Sequence, residues 1–162
     1  MRISLLPVLL CLPLITPAVA EESPSVNIKR LTLNTAGKAA HAAIEACRAK
    51  GVQVGVTLVD RNGLVQVSLR DTLAASITIP ISQGKARAAA NFGVPTSALK
   101  ERANGPIGRT PGLVMSTGGL PIEAAGTLYG AIGVSGAPSG LTDEECAQAG
   151  VDAIQDDLEM AM

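Results

Sequence analysis

Apolar and polar positions repeat along the chain with periods that predict helices at both ends of one domain. The first helix is predicted over residues 35–50, with Asn34 as N-cap and with one apolar stripe, Ala36, Ala40, Ala43, Ile44 and Cys47. Its polar side carries Lys38, His41, Glu45 and Arg48. The last helix is predicted to begin at the capping box Thr142-x-x-Glu145, to run to about Glu159, and to face inward through Val151, Ile154 and Leu158.

Two hairpins are predicted between these helices. In the first, strands over residues 52–59 and 64–70 flank Asn62-Gly63, a strong hairpin turn sequence. In the second, short apolar runs at Leu113–Ser116 and Leu128–Val134 flank a connection with Gly118, Gly119, Pro121 and Gly126. Glycines inside a strand favour close approach of another backbone or a ligand. We therefore expect an open, glycine-rich face in the middle of the sheet.

An alanine-rich helix over residues 79–91 and a short helix ending near Arg102 separate the hairpins. The element order is α-β-β-α-(α)-β-β-α, which predicts an α+β domain. Its antiparallel sheet should carry helices on both faces, with the first and last helices on the same face.

The N-terminus has the pattern of a secretory signal peptide. Arg2 precedes an apolar run to Ile15, and Ala18-Val19-Ala20 is a small-residue cleavage site. The run is too short and too rich in proline for a membrane span. We predict a signal peptide over 1–20, a loose leader over 21–30 and a single domain over 31–162. The mature protein is then periplasmic or secreted.

Charge and composition exclude several classes of function. Without Arg2 the chain has 12 basic and 14 acidic residues, a formal charge of −2. This balance gives no electrostatic basis for binding nucleic acid or an anionic membrane. Phe92 and Tyr129 are the only aromatic residues, so the core must consist of small aliphatic side chains.

Five motifs in one order resemble the GlcG/HbpS family over residues 31–154. They are Val59-Asp60-Arg61-Asn62-Gly63, Gln83-Gly84-Lys85-Ala86-Arg87-Ala88-Ala89, Phe92-Gly93-Val94-Pro95-Thr96, Gly118-Gly119-Leu120-Pro121-Ile122 and Gly130-Ala131-Ile132-Gly133-Val134-Ser135-Gly136. The chain departs from the family pattern at Thr117, where the family has a third glycine, and in residues 137–143, which lack the family's Gln-Asp pair.

The resemblance implies a profilin-like α/β sandwich that forms homo-oligomers. It also implies haem binding or haem degradation, in some members together with a sensor protein. We expect the ligand to lie against the glycine-rich hairpin, the second helix and a neighbouring subunit. The candidate cofactor-binding residues are His41, Lys85, Arg87, Met115, Gly118, Gly119 and Gly133.

Each charged candidate has a structural alternative. His41 is the only histidine, so it is either an axial haem ligand or a solvated surface residue. Lys85 and Arg87 either hold a haem propionate through charge-assisted bonds or lie along the helix surface. Asp156 and Glu159 form a weak candidate metal pair, and the alternative is a solvated acidic face.

After loss of Cys11 with the signal peptide, Cys47 and Cys146 are the two remaining thiols. An exported protein retains disulfides, and packing of the first and last helices side by side would bring these sulfurs together. The alternative is two separate buried thiols.

The sequence therefore favours an exported, haem- or tetrapyrrole-binding protein. We identify no catalytic residue, because no positioned acid, base or nucleophile partner accompanies the lone histidine. Two alternatives stay open: a cofactor-free interaction module for a sensor or enzyme, and a haem-degrading protein.

Overall fold

The computed structural model describes residues 23–161, so the predicted signal peptide lies outside the described residues. Residues 23–30 form no helix or strand and are exposed. The elements that follow are α1 (Leu33–Ala49), β1 (Gly55–Asp60), β2 (Val65–Arg70), α2 (Thr78–Phe92), a 3-10 turn (Thr96–Leu99), α3 (Lys100–Ala103), a second 3-10 turn (Pro106–Arg109), β3 (Gly119–Ala124), β4 (Thr127–Ser135) and α4 (Gly140–Met160).

The four strands form one antiparallel sheet in the order β2-β1-β4-β3. Val56 and Leu58 of β1 face α1 and α4 on one side of the sheet. Val59 of the same strand and Ala131 of β4 face α2 on the other side. The predicted α+β class, element order and placement of helices on both faces are confirmed.

The first hairpin turns at the predicted Asn62-Gly63 pair. The carboxylate of Asp60 accepts hydrogen bonds from the backbone N–H groups of Asn62 at 2.9 Å and Leu64 at 3.0 Å. Gly63 has a φ of 78°, a left-handed conformation that favours glycine. Arg30 forms an ion pair with the second carboxylate oxygen of Asp60 at 2.8 Å, which ties the leader to this turn.

The predicted first strand of the second hairpin was wrong. The apolar run 113–116 is not a strand; it packs against the side of α2, where Met115 contacts Ala88. The strand is β3, which begins at Gly119 in the segment predicted to be a connection and contains Pro121. Proline is tolerated there because β3 is an edge strand, whose outward N–H has no ladder partner to lose.

Both long outer helices begin earlier than predicted. The N-cap of α1 is Thr32, not Asn34, and its side chain accepts a hydrogen bond from the N–H of Thr35 at 3.2 Å. The N-cap of α4 is Ser139, so the capping box predicted at Thr142 lies inside the helix. In both cases a hydroxyl two or three residues upstream of the predicted cap satisfies the first exposed N–H group.

The face between the sheet and α1/α4 holds the larger core. The predicted stripes of both helices are buried there. Small residues bring the two helices close, and a methyl group on Gly150 would lie 2.7 Å from the carbonyl oxygen of Ala39. This core has no tryptophan and one buried tyrosine, so its packing contacts come from the short distance between the two helices.

A disulfide joins the two outer helices. Cys47 in the last turn of α1 and Cys146 near the start of α4 are bonded, with their Cα atoms 5.5 Å apart. The bond links residues separated by 99 positions, so it constrains most of the unfolded domain.

Candidate functional site

The glycine-rich face is covered by α2 and is not open as predicted. A Cβ on Gly133 would lie 2.1 Å from the carbonyl oxygen of Ser82, and one on Gly119 would lie 2.6 Å from that of Lys85. These glycines therefore allow the helix backbone to rest on the sheet. A hydrogen bond of 2.8 Å between the hydroxyls of Thr57 and Ser82 also joins the two layers. At Gly133 and Gly119 the two backbones are too close together for a ligand to lie between α2 and the sheet.

Lys85 points into the protein rather than toward a ligand or along the helix surface. Its ammonium donates to a carboxylate oxygen of Asp143 at 2.7 Å and to the carbonyl of Val134 at 2.9 Å. The Lys85 and Asp143 side chains are 4% and 5% exposed. Gly118 is required beside them, because a Cβ there would lie 2.7 Å from the Lys85 nitrogen. The bond to Asp143 joins α2 to α4, and the bond to Val134 joins α2 to β4.

Arg87 and Met115 lie near the C-terminal half of α2. The guanidinium of Arg87 donates to the carbonyl of Gly63 at 3.2 Å, and so holds the turn of the first hairpin. Met115 is buried against Ala88 and Leu99. Neither residue meets Lys85, so the predicted set of cofactor-binding residues does not form one site.

His41 lies on the exposed side of α1, across the sheet from α2. Its polar neighbours on that side are engaged elsewhere, Lys38 with Asp157 and Glu45 with Arg48. Within one chain His41 therefore cannot share a ligand with the α2 residues. Its exposure matches the solvated alternative.

Asp156 and Glu159 are exposed on α4, where Glu159 accepts a hydrogen bond from Gln155 at 2.7 Å. Among residues 23–161, no three His, Cys, Asp or Glu side chains lie close enough together to hold a metal ion. The predicted metal pair thus has no third protein ligand in the described part of the chain.

Two residues with shifted pKa values, Arg48 and Asp71, lie away from these candidates. Asp71 pairs with Arg48 at 2.7 Å, whereas its sequence neighbour Arg70 bonds to the carbonyl of Ala74. The hydrogen bond from Arg48 holds the pKa of Asp71 below its ordinary value, and the same bond raises the pKa of Arg48. This pair joins α1 to the end of β2.

A cavity at the C-terminal end of α2 was missed by the sequence reasoning. It has a volume of about 330 Å³ and lies between α2, the first 3-10 turn and α3, with Asn91, Phe92, Val94, Ala98, Leu99 and Arg102 as its lining. The guanidinium of Arg102 lies over the Phe92 ring, 5.4 Å from its centroid. Met115 packs beneath, in the same apolar cluster as Leu99. Phe92 is one of two aromatic residues in the sequence, and it was the feature that could have indicated this cavity.

We call this cavity, defined by those six lining residues, the Phe92 cavity. It combines the apolar side chains of Phe92, Val94, Ala98 and Leu99 with two polar groups, the Asn91 amide and the exposed Arg102 guanidinium, so it suits a ligand with an apolar edge and an anionic group. Its volume is at the lower end of ligand pockets, which span roughly 300–1,000 Å³. The residues present fit one edge of a haem with a propionate at Arg102, and most of the macrocycle would remain outside.

Basic and acidic residues are unevenly distributed along the chain. Between Asp71 and Asp143 the chain has five Lys and Arg residues and two acids, whereas α4 has seven acids and no base. The Phe92 cavity is in the basic segment. Bases beside α4 offset part of its charge, since Lys38 pairs with Asp157 and Lys50 pairs with Glu145. The bases of its own segment are therefore what favour an anionic ligand at the Phe92 cavity.

Within residues 23–161, no helix has both the length and the apolar character needed to cross a membrane.

Comparisons with solved structures identify relatives of the same fold. A double mutant of HbpS from Streptomyces reticuli is 38% identical and has a TM-score of 0.77, over 88% of this chain and 99% of that one. A PduOC:haem complex is 25% identical with a TM-score of 0.71, over 77% and 95% of the two chains. The ORFY protein of Klebsiella pneumoniae, at 24% identity, 83% and 97% coverage and a TM-score of 0.75, shares the fold.

A search of curated proteins returns no match. The sequence model of a family described as "Haem degrading protein HbpS-like" matches residues 31–152. That match covers most of the chain and the whole sheet with α1 and α2. The protein therefore belongs to the HbpS-like family.

Proposed function

We propose that the protein is an exported, haem-type tetrapyrrole-binding protein that acts in haem or iron handling. Membership of the HbpS-like family and similarity to a protein whose structure contains haem support this class of ligand. Export, to the periplasm or the medium, is supported by the sequence of residues 1–20. N-terminal sequencing of the protein from its own host should then begin at Glu21.

The observation that carries the proposal is the Phe92 cavity. Arg102 is exposed and forms no ion pair within residues 23–161, so it is available to a propionate, while the Phe92 ring and Val94 offer apolar contact to a macrocycle edge. Haem would supply an iron centre at this site. The roles of the protein are to hold the anionic group, to orient the ring against Phe92 and to exclude water from one edge.

Haem degradation is the less favoured activity. The polar groups that line the Phe92 cavity are the Asn91 amide and the Arg102 guanidinium, and no carboxylate, imidazole or thiol of the described residues is part of its lining. The residues at the site thus bind and orient without general acid–base catalysis. A role of His41 would require a second copy of the chain or a separate surface site.

A cofactor-free interaction module is the second candidate, with a sensor or enzyme as partner. One observation favours it: Leu73 and Ile77, between β2 and α2, are 80% and 59% exposed. Apolar side chains of this size on a surface fit a contact with a second protein, including a homo-oligomer.

A haem titration followed by Soret absorbance tests the proposal. We expect saturable binding by the mature protein, and about tenfold weaker binding by Arg102→Ala through loss of a charge-assisted hydrogen bond. Arg109→Ala is the matched control, because Arg109 is an exposed arginine nearby that does not line the cavity. Equal affinities of these two variants for haem would show that haem binds outside the Phe92 cavity. Absence of saturable binding would favour the interaction module.

A further inference from the structure

A second cavity, of about 390 Å³, lies on the other side of the segment that follows α2. It is formed by that segment, β3 and the first turns of α4, and its lining is Pro95, Leu120, Leu141, Glu144, Glu145 and Gln148. It shares no lining residue with the Phe92 cavity. We call it the Glu144 cavity.

Glu144 supplies the polar group that distinguishes this cavity. One of its carboxylate oxygens, Oε1, accepts a hydrogen bond from the Ser97 hydroxyl at 2.9 Å. The other, Oε2, is buried and has no hydrogen-bond partner among residues 23–161. A buried carboxylate oxygen without a partner is costly, so the site favours a ligand that donates a hydrogen bond.

The remaining polar groups leave the cavity with negative charge. Glu145 is neutralised by Lys50 at 2.7 Å, and the Gln148 amide donates to Asp152 at 2.7 Å. Glu144 has no cationic partner in the described part of the chain. The ligand that balances this charge is a cation with N–H donors.

The other walls are aliphatic. Leu120 is nearly buried, and Leu141 is 66% exposed at the mouth of the cavity with Pro95 beside them. These side chains favour an extended apolar body on the ligand. A bare divalent cation gains nothing from such walls, and it would find one carboxylate bound to Ser97 and the other to Lys50.

We propose that the Glu144 cavity binds a primary ammonium group carried on an aliphatic chain. The ammonium pairs with the carboxylate of Glu144, whose buried Oε2 turns toward the cavity to accept the hydrogen bond, and the methylene chain lies against Leu120 and Leu141. Two sources share this chemistry, a free alkylamine and the lysine side chain of a peptide. The proposal does not rest on haem binding, because the two cavities have no lining residue in common.

An NMR titration of the disulfide-bonded mature protein tests this site. The probe is n-pentylamine, protonated at neutral pH, and n-pentanol is the neutral comparison of the same length. We expect saturable shifts of backbone signals around Glu144 with the amine at up to about 10 mM, and at least tenfold weaker binding of the alcohol. Glu144→Gln should weaken the binding of the amine by a similar factor.

Glu159→Gln is the matched control, since it removes the same charge from α4 outside the cavity and should leave amine binding unchanged. Leu141→Ala keeps the charge of the cavity and removes apolar contact, so it should weaken the binding of pentylamine more than the binding of methylamine. This second variant keeps the proposal testable if Glu144→Gln folds poorly.

A third arm separates the two ligand sources. Binding of Nα-acetyl-lysine methylamide as tight as that of pentylamine supports a lysine side chain, whereas weaker binding supports a free amine. The proposal is overturned if the alcohol binds as well as the amine, if Glu144→Gln leaves the affinity unchanged, if Ca²⁺ produces the same shifts more tightly, or if no shift saturates.

Discussion

Replacement of Gly133 by alanine tests whether α2 covers the glycine-rich face of the sheet. The new methyl group would lie 2.1 Å from the carbonyl oxygen of Ser82 and 2.6 Å from the backbone nitrogen of Ala86. Both atoms belong to the helix backbone, so α2 must move by roughly 1 Å to restore van der Waals contact. Overpacking of this kind costs about 3 kcal/mol, the upper part of its usual range.

Urea unfolding of the oxidised protein measures the effect. With an m value of about 2 kcal/mol/M, Gly133→Ala should lower the midpoint by about 1.5 M. Gly37→Ala is the matched control, because a methyl group on Gly37, in α1, would meet no atom within 4 Å. It should raise the midpoint by about 0.5 M, since alanine is favoured over glycine in a helix by about 1 kcal/mol.

The outcome separates two structures of this face. If the glycines lined an open ligand groove, Gly133→Ala would leave the midpoint near that of the wild type and would instead impair ligand binding. A midpoint within about 0.3 M of the wild type would therefore refute the close packing of α2 on β4.

Three further predictions concern charges and the disulfide. Lys85→Met should destabilise the fold by about 3–5 kcal/mol because it leaves the Asp143 carboxylate buried without its cation. Adding Asp143→Leu should recover part of that loss in the same urea assay, because leucine removes the buried charge but leaves the N–H of Ala137 without its acceptor. Denatured, unreduced mature protein should show no free thiol, and reduction should cost up to about 4–5 kcal/mol of stability; two free thiols per chain would contradict the bond. Asp71→Asn should lower stability at neutral pH, and the difference from the wild type should shrink as the pH falls below the ordinary value of 3.8. It should disappear once the pH is also below the lowered pKa of folded Asp71, because protonation then removes the charge that pairs with Arg48 in the wild type as well. A constant difference at all pH values would contradict this assignment.

The periodic parts of the fold could be predicted from the sequence. Apolar stripes determine the buried sides of α1 and α4, and Asn62-Gly63 places the first hairpin. The second hairpin could not be placed in the same way. An apolar run such as 113–116 has the same composition whether it packs on a helix or pairs in a sheet, and an edge strand with Pro121 resembles a connection.

The site was harder to predict because its contacts are tertiary. A glycine that allows a helix to approach and a glycine that admits a ligand look alike in sequence, so Gly119 and Gly133 were assigned to a ligand. Lys85 and Asp143 are 58 positions apart, and nothing local marks them as partners. The Phe92 cavity depends on how α3 folds back on the end of α2.

A crystal structure of the mature protein with haem bound would show where the ligand lies. We expect one edge of the macrocycle against Phe92 and Val94, a propionate within hydrogen-bond distance of Arg102, and the Lys85–Asp143 pair intact. Haem bound through His41 on α1, with the Phe92 cavity free of ligand, would contradict this expectation.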